Sequence, residues 1–174
     1  MHIMDNVVLV GMPAAGKSTV GVVLAKRLGF RFVDSDLVIQ EHTGMLLHQI
    51  MEEKGMDVFL RVENDVNASL CAERSVIATG GSVIYGREAM EHLKGLGIVV
   101  YLKLGLESIK ERLGDFKERG VAVREGQSLE ELYTERIPYY EKYADVTVEC
   151  EGKRIKDIVA EIAGRKQITK MVER

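Results

Sequence analysis

A short run of β-branched and apolar residues, Val7 to Val10, leads into Gly11 and four further residues before Gly16-Lys17-Ser18-Thr19. Behind it comes an apolar pattern of helical period: Val20, Val23, Leu24 and Leu28. Strand, G-x-x-x-x-G-K-[ST] loop and helix in that order constrain the fold more than any other stretch of the chain. Glycines let the backbone curl until successive N–H groups and the helix N-terminus converge on one anion. Lys17 adds a point charge toward the outer phosphates, and the Ser18 hydroxyl can ligate Mg²⁺. An ordinary glycine-rich strand–helix turn would explain Gly11 and Gly16, but not Lys17-Ser18 directly behind the second glycine. The loop therefore implies a nucleoside-triphosphate site built from Gly11, Ala14, Ala15, Gly16, Lys17, Ser18 and Thr19.

The remaining composition excludes several other classes. At 174 residues the chain suits one domain with a sizeable core. A net charge of −3 leaves no basic footprint for nucleic acid. The apolar stretches are strand-sized, too short for a membrane span. The opening Met-His-Ile-Met-Asp lacks the charged and apolar regions of a secretory signal. Cys71 and Cys150 lie far apart, as reduced thiols of a cytoplasmic protein do. His2, His42, His48 and His92 show no metal-ligand spacing.

Along the chain, Arg31 to Asp36 reads as a short strand ending in two carboxylates, Asp34 and Asp36. Residues 37–72 carry helical periodicity broken near Gly44 and Gly55. Arg74 to Ala78 and Gly97 to Leu102 are strand-like, with a helix over 87–96 between them. A short helix follows over 106–113, and then 114–126 mixes glycine with charge. Ser128 and Glu131 form a capping box opening a helix to Tyr143. A last strand, 146–149, and a last helix, 153–163, precede a basic tail, 165–174, expected to fray. Strands alternating with helices predict a three-layer α/β domain with a parallel sheet. In such a sheet the site lies beyond the carboxyl ends of the strands. The phosphate loop, Asp34-Ser35-Asp36 and Thr79-Gly80-Gly81 should therefore share one crevice. One of the two aspartates can hold Mg²⁺ and the other can accept a hydroxyl proton, while capping of the next helix would account for only one of them.

Together with Arg136-x-Pro138-x-Tyr140 and Ala144-Asp145-Val146, these motifs resemble the shikimate kinase family in order and spacing over about residues 6 to 163. The resemblance implies a P-loop kinase fold of nucleoside-monophosphate-kinase type, with a five-stranded parallel sheet, a lid over about 114–126 and a small substrate-binding lobe over about 37–72. It implies transfer of the γ-phosphoryl of ATP, with Mg²⁺, to the 3-hydroxyl of shikimate by a cytoplasmic monomer. By motif, Lys17 would contact the γ-phosphate, and Ser18 and Asp34 the metal. Asp36 would bind and help deprotonate the acceptor hydroxyl. Gly80 and Gly81 would present backbone N–H groups, and Arg136 would pair with the substrate carboxylate. Arg112 and Arg119 keep the seven-residue interval of the family's adenine-stacking and phosphate-clamping arginines, although Gly120 follows Arg119 where the family has proline.

Two departures concern the acceptor. In Phe59-Leu60-Arg61-Val62-Glu63, leucine stands where the family's Phe-Arg-x-x-Glu motif has a second carboxylate-binding arginine. Leu60 is either a surface leucine or part of a pocket wall that has exchanged a cation for an apolar patch. Helical spacing sets Phe59, Val62 and Val66 toward the core and puts Leu60 with Glu63, Asn64 and Asn67 on a polar face. Ser82 stands where the family has a third glycine. Losing a charge-assisted hydrogen bond costs about 1.5–3 kcal/mol, or on the order of 10- to 100-fold in affinity. Shikimate is the expected acceptor. A sugar acid or hydroxy amino acid is the alternative, and a nucleotide-binding module without turnover is the reading from another class.

Overall fold

The structure is a computed structural model that describes residues 5–115 and 120–173. Five strands, β1 (Asn6–Val10), β2 (Arg31–Asp34), β3 (Ser75–Ala78), β4 (Gly97–Lys103) and β5 (Val146–Glu149), form one parallel sheet in the order β2-β3-β1-β4-β5. The central strand β1 is buried along its whole length, which is why it reads as an unbroken apolar run. Asn6 pins its lower end, donating from Nδ2 to the carbonyls of Ala72 and Leu96 and accepting at Oδ1 from the Ser75 N–H.

The helices cover both faces. They are α1 (Lys17–Leu28), α2 (Ser35–Thr43), α3 (Leu47–Lys54), α4 (Met56–Ala68), α5 (Arg87–Leu96), α6 (Leu106–Leu113), α7 (Leu129–Tyr143), α8 (Ile155–Ala163) and α9 (Lys166–Val172). Gly44 caps α2 in the left-handed conformation, and Gly55 ends α3, matching the expected breaks. At the start of α7 the capping box closes in both directions, Glu131 N–H to Ser128 Oγ at 3.1 Å and Ser128 N–H to Glu131 Oε2 at 2.8 Å.

The described residues form two hydrophobic cores. The larger surrounds the sheet; the smaller joins Ile39, Ile50, Phe59 and Val66 within the α2–α4 lobe.

The tail corrects an expectation. Instead of fraying, it forms α9, because Ile168 and Met171, three residues apart, share a face and bury against the main core at 0% and 5% exposure. The lysines that make the tail look like a solvated end, Lys166 and Lys170, point outward. Ile168→Ala is expected to cost about 2–5 kcal/mol, seen as a lowered urea midpoint with an unchanged slope; an unmoved midpoint would contradict the docking of α9.

Candidate active site

Strand register assembles the site. Leu9 pairs with Ala78, and Ala78 with Asp34, so three neighbouring strands end in one row. Thr79 locks that row, with both its N–H and its hydroxyl donating to the Leu9 carbonyl. The connections leaving β1, β2 and β3 must therefore open into the same crevice. They line a cavity of about 360 Å³ with Lys17, Ser18, Asp36, Glu63, Gly80, Gly81, Ser82 and Arg136, and Gly120 to Ala122 close part of its rim.

The phosphate loop has the predicted shape. Ala14 (φ 64°) and Gly16 (φ 96°) are both left-handed, and the curl turns backbone N–H groups inward ahead of α1. Lys17 is buried and donates to the carbonyls of Gly11 (2.7 Å) and Met12 (2.8 Å). Burial lowers its pKa to about 8, with Asp36 opposing the shift. Ala15 is buried and closes the turn through its N–H to the Met12 carbonyl, whereas Thr19 is exposed on the cleft side of α1. Arg112, at the end of α6, reaches back to the Ala14 carbonyl at 3.2 Å and so lies against this loop.

The two aspartates divide their work. Asp34 is the N-cap of α2, accepting at Oδ1 from the Asp36 N–H (3.0 Å), and its Oδ2 accepts from Ser18 Oγ (3.2 Å). Capping thus explains Asp34 but not Asp36. Ser18 Oγ and the Asp34 carboxylate are hard oxygen donors at the open side of the loop. That set fits Mg²⁺, which takes few protein ligands and completes its shell with phosphate and water. Among the described residues no group of three or more His, Cys, Asp or Glu forms a metal cage.

Asp36 points into the cleft. Burial and the neighbouring Asp34 raise its pKa to about 6. Its Oδ1 is buried without a hydrogen-bond partner, as is Oε2 of Glu63 across the cleft. A Cβ on Gly80 would lie 2.7 Å from the first and 2.8 Å from the second, so any side chain there would have to push these two carboxylates out of place. Gly80→Ala is expected to reduce acceptor turnover by at least an order of magnitude and to cost about 1–3 kcal/mol of stability, measured by steady-state kinetics and urea unfolding; wild-type kinetics would contradict this packing.

Arg136 is fully buried in α7 and anchored on two sides. Its Nη2 donates to the Ala122 carbonyl and its Nε to the Tyr85 hydroxyl (3.4 Å), with the guanidinium 5.4 Å from the Tyr85 ring centre. One turn on, Tyr140 stacks on Tyr101 and donates its hydroxyl to the Gly81 carbonyl at 2.6 Å, propping the glycine loop against the helix.

Two readings change. Leu60 does not line this cleft: half-buried, it packs against the lobe's own core and lines a separate cavity with Tyr85, Ala122, Val123 and Leu132. The supposed polar face of α4 is not solvated either. Glu63 and Asn67 are 2% and 0% exposed, and Asn64 Oδ1 accepts from the Ala89 N–H at the start of α5. Arg119 lies outside the described residues. Sequence reasoning missed Glu63 as a site residue; the signal was the closing glutamate of the Phe-Arg-x-x-Glu motif. Tyr85 and Tyr140 owe their roles to long-range contacts.

Fold and site together define a small-molecule kinase of the P-loop class. A family model described as shikimate kinase matches residues 13–166. Shikimate kinases of Persephonella marina and Francisella tularensis subsp. novicida are similar at 37% identity (93% of this chain, 99% of theirs) and 40% identity (91% and 92%). The structure of shikimate kinase from Acinetobacter baumannii in complex with shikimate superposes with a TM-score of 0.81 at 36% identity, covering 92% of each chain. The chain belongs to the shikimate kinase family. No helix among the described residues is long and apolar enough to cross a membrane.

Proposed function

We propose that the protein transfers the γ-phosphoryl group of ATP to the 3-hydroxyl of shikimate. The observation that carries this reading is Asp36, a half-buried carboxylate whose Oδ1 is buried and free, in one cavity with the phosphate-loop lysine and a buried arginine. The loop N–H groups and Lys17 hold the outer phosphates, Lys17 leaving its two carbonyl partners to do so. Ser18 and Asp34 would hold Mg²⁺ together with the nucleotide, and the ion would supply neutralisation of phosphate charge. Arg136 receives the acceptor carboxylate in its planar fork. Asp36 accepts the proton of the acceptor hydroxyl as its oxygen bonds to the γ-phosphorus and the bond to the ADP oxygen breaks. A carboxylate with a pKa near 6 suits that exchange near neutral pH. Gly80 and Gly81 set the acceptor between the carboxylates, Arg112 covers the nucleotide, and 114–126 serves as the lid. The test is ADP release with Mg-ATP and shikimate, beside a Leu60→Arg variant and with a sugar acid as competing acceptor. Shikimate-dependent turnover in the wild type is expected. Turnover with the sugar acid alone would replace shikimate as the acceptor, and ATP binding without turnover on any alcohol would reduce the protein to a nucleotide-binding module.

A further inference from the structure

The two departures from the family pattern, Leu60 and Ser82, meet at one residue. Glu63 stands on α4 three positions after Leu60, so the two occupy neighbouring places on the helix surface. An arginine at 60, as the family motif has, would stand beside Glu63 as a cation on the same helix. Leucine removes that cation. On the other side of Glu63, the serine that replaces the third glycine fills the space with a hydroxyl. Ser82 is buried at 4% exposure, and its Oγ donates to Glu63 Oε1 at 2.6 Å, across a separation of 19 residues. Its backbone, φ −93° and ψ −1°, suits any residue, so glycine was never needed there for conformation.

This bond has a directional consequence. With Oε1 occupied by Ser82, Oε2 is the oxygen left facing the cleft, buried, without a partner and next to Gly80. A buried acceptor oxygen in that state calls for a donor, and an acceptor hydroxyl supplies one. The charged groups facing Glu63 are Asp36 from α2, Arg136 from α7 and Lys17 from α1. Burial drives the Glu63 pKa up to about 7; Ser82 opposes this most strongly, Asp36 adds to it, and Arg136 and Lys17 work against it.

Resting on the shikimate reading above, we propose that Ser82 is a positioning residue that replaces the absent arginine at 60: it holds the Glu63 carboxyl in the orientation that leaves Oε2 facing the cleft to receive an acceptor hydroxyl. Leu60 and Ser82 are then two halves of one compensated exchange, and the acceptor half of the site is rebuilt.

The experiment is a double-mutant cycle over Ser82→Ala and Leu60→Arg, with Ser82→Thr as the variant that keeps the hydroxyl. ADP release is followed against shikimate concentration between pH 5.5 and 8.5, and the Glu63 carboxyl is titrated in parallel by ¹³C NMR. In Ser82→Ala the shikimate KM is expected to rise about tenfold or more, while the KM for ATP stays unchanged. Removing the donor raises the Glu63 pKa, so both the acid limb of kcat/KM and the NMR midpoint move to higher pH. Ser82→Thr retains wild-type behaviour, and Leu60→Arg recovers most of the loss in the Ser82→Ala background while adding little to the wild type. An unmoved Glu63 midpoint in Ser82→Ala, or a loss that Leu60→Arg adds to instead of recovering, overturns the proposal. A wild type inactive on shikimate would overturn the acceptor reading alone, since the Glu63 titration decides the role of Ser82 without turnover.

Discussion

Replacing Asp36 with asparagine is expected to lower kcat by about two to four orders of magnitude and, in the same protein, to raise stability. Asparagine keeps the shape and the hydrogen-bonding oxygen but cannot take the acceptor proton, so ATP binding should change little. The stability gain follows from burial. Asp36 titrates near 6 in the folded protein against an ordinary 3.8, because burial and then Asp34 disfavour its charge. The folded state thus holds the proton more tightly than the unfolded chain. The associated stability is fully present below about pH 4 and is lost as the pH rises through 6, a loss of roughly 3 kcal/mol at neutral pH. Asparagine never ionises, so in the variant the part of the profile between pH 4 and 6 should flatten. Glu63, also raised, leaves a remaining decline toward pH 7. Melting temperature against pH for both proteins checks the stability arm, and single-turnover kinetics check the chemical arm. Wild-type kcat in the variant would remove Asp36 from the chemistry. A melting profile identical to wild type would mean that the carboxylate is not buried as the structure has it.

Arg136→Met is expected to raise the shikimate KM by about 10²- to 10⁴-fold, as breaking a buried charge pair costs on the order of 3–5 kcal/mol, with the KM for ATP within a few-fold of wild type. Arg136 and Lys17 are the cations among the described residues that line the cleft, and Lys17 sits in the phosphate loop, where it donates to the Gly11 and Met12 carbonyls. With leucine at 60, no second guanidinium on α4 at that position shares the acceptor carboxylate. Lysine at 136 should restore only part of the loss, because its point charge cannot span two carboxylate oxygens while also holding the Ala122 carbonyl and Tyr85, as the guanidinium fork does. Isothermal titration of shikimate into the three proteins measures this directly. Equal affinity in Arg136→Met and wild type would place the carboxylate elsewhere.

What the sequence revealed, and what it hid, follows from how local each signal is. The phosphate loop and the capping box at Ser128 are written in contiguous residues, and both appear as read. Asp34 and Asp36 were legible because they sit at a strand exit, where chain order fixes position. The tail was misread because two buried residues, Ile168 and Met171, are too few to show periodicity among five charged neighbours between Arg165 and Arg174. Glu63 was misread for a different reason. Helix α4 buries two faces, Phe59 and Val66 toward the lobe's core and, on another side, Glu63 toward the cleft and Asn64 against α5. A pattern that assigns one apolar face to the interior places the other in water. The Ser82–Glu63 and Tyr140–Gly81 bonds join residues 19 and 59 positions apart, so no local pattern encodes them.

The separation of the two cores has an energetic consequence of its own. Ile39, Ile50, Phe59 and Val66 pack with one another, while Val38 packs against both clusters. A lobe with a private core can open as a cooperative unit at a free energy below that of global unfolding. Asp36 and Glu63 belong to that unit; Lys17, Gly80 and Arg136 belong to the body around the sheet. An acceptor held by both Asp36 and Arg136 would span the divide and have to be released before the lobe opens, so saturating shikimate should slow amide hydrogen exchange in α2 to α4 far more than in β1 and β4. Ligation therefore merges two cooperative units into one, and exchange rates in the small lobe report acceptor occupancy even where no turnover occurs.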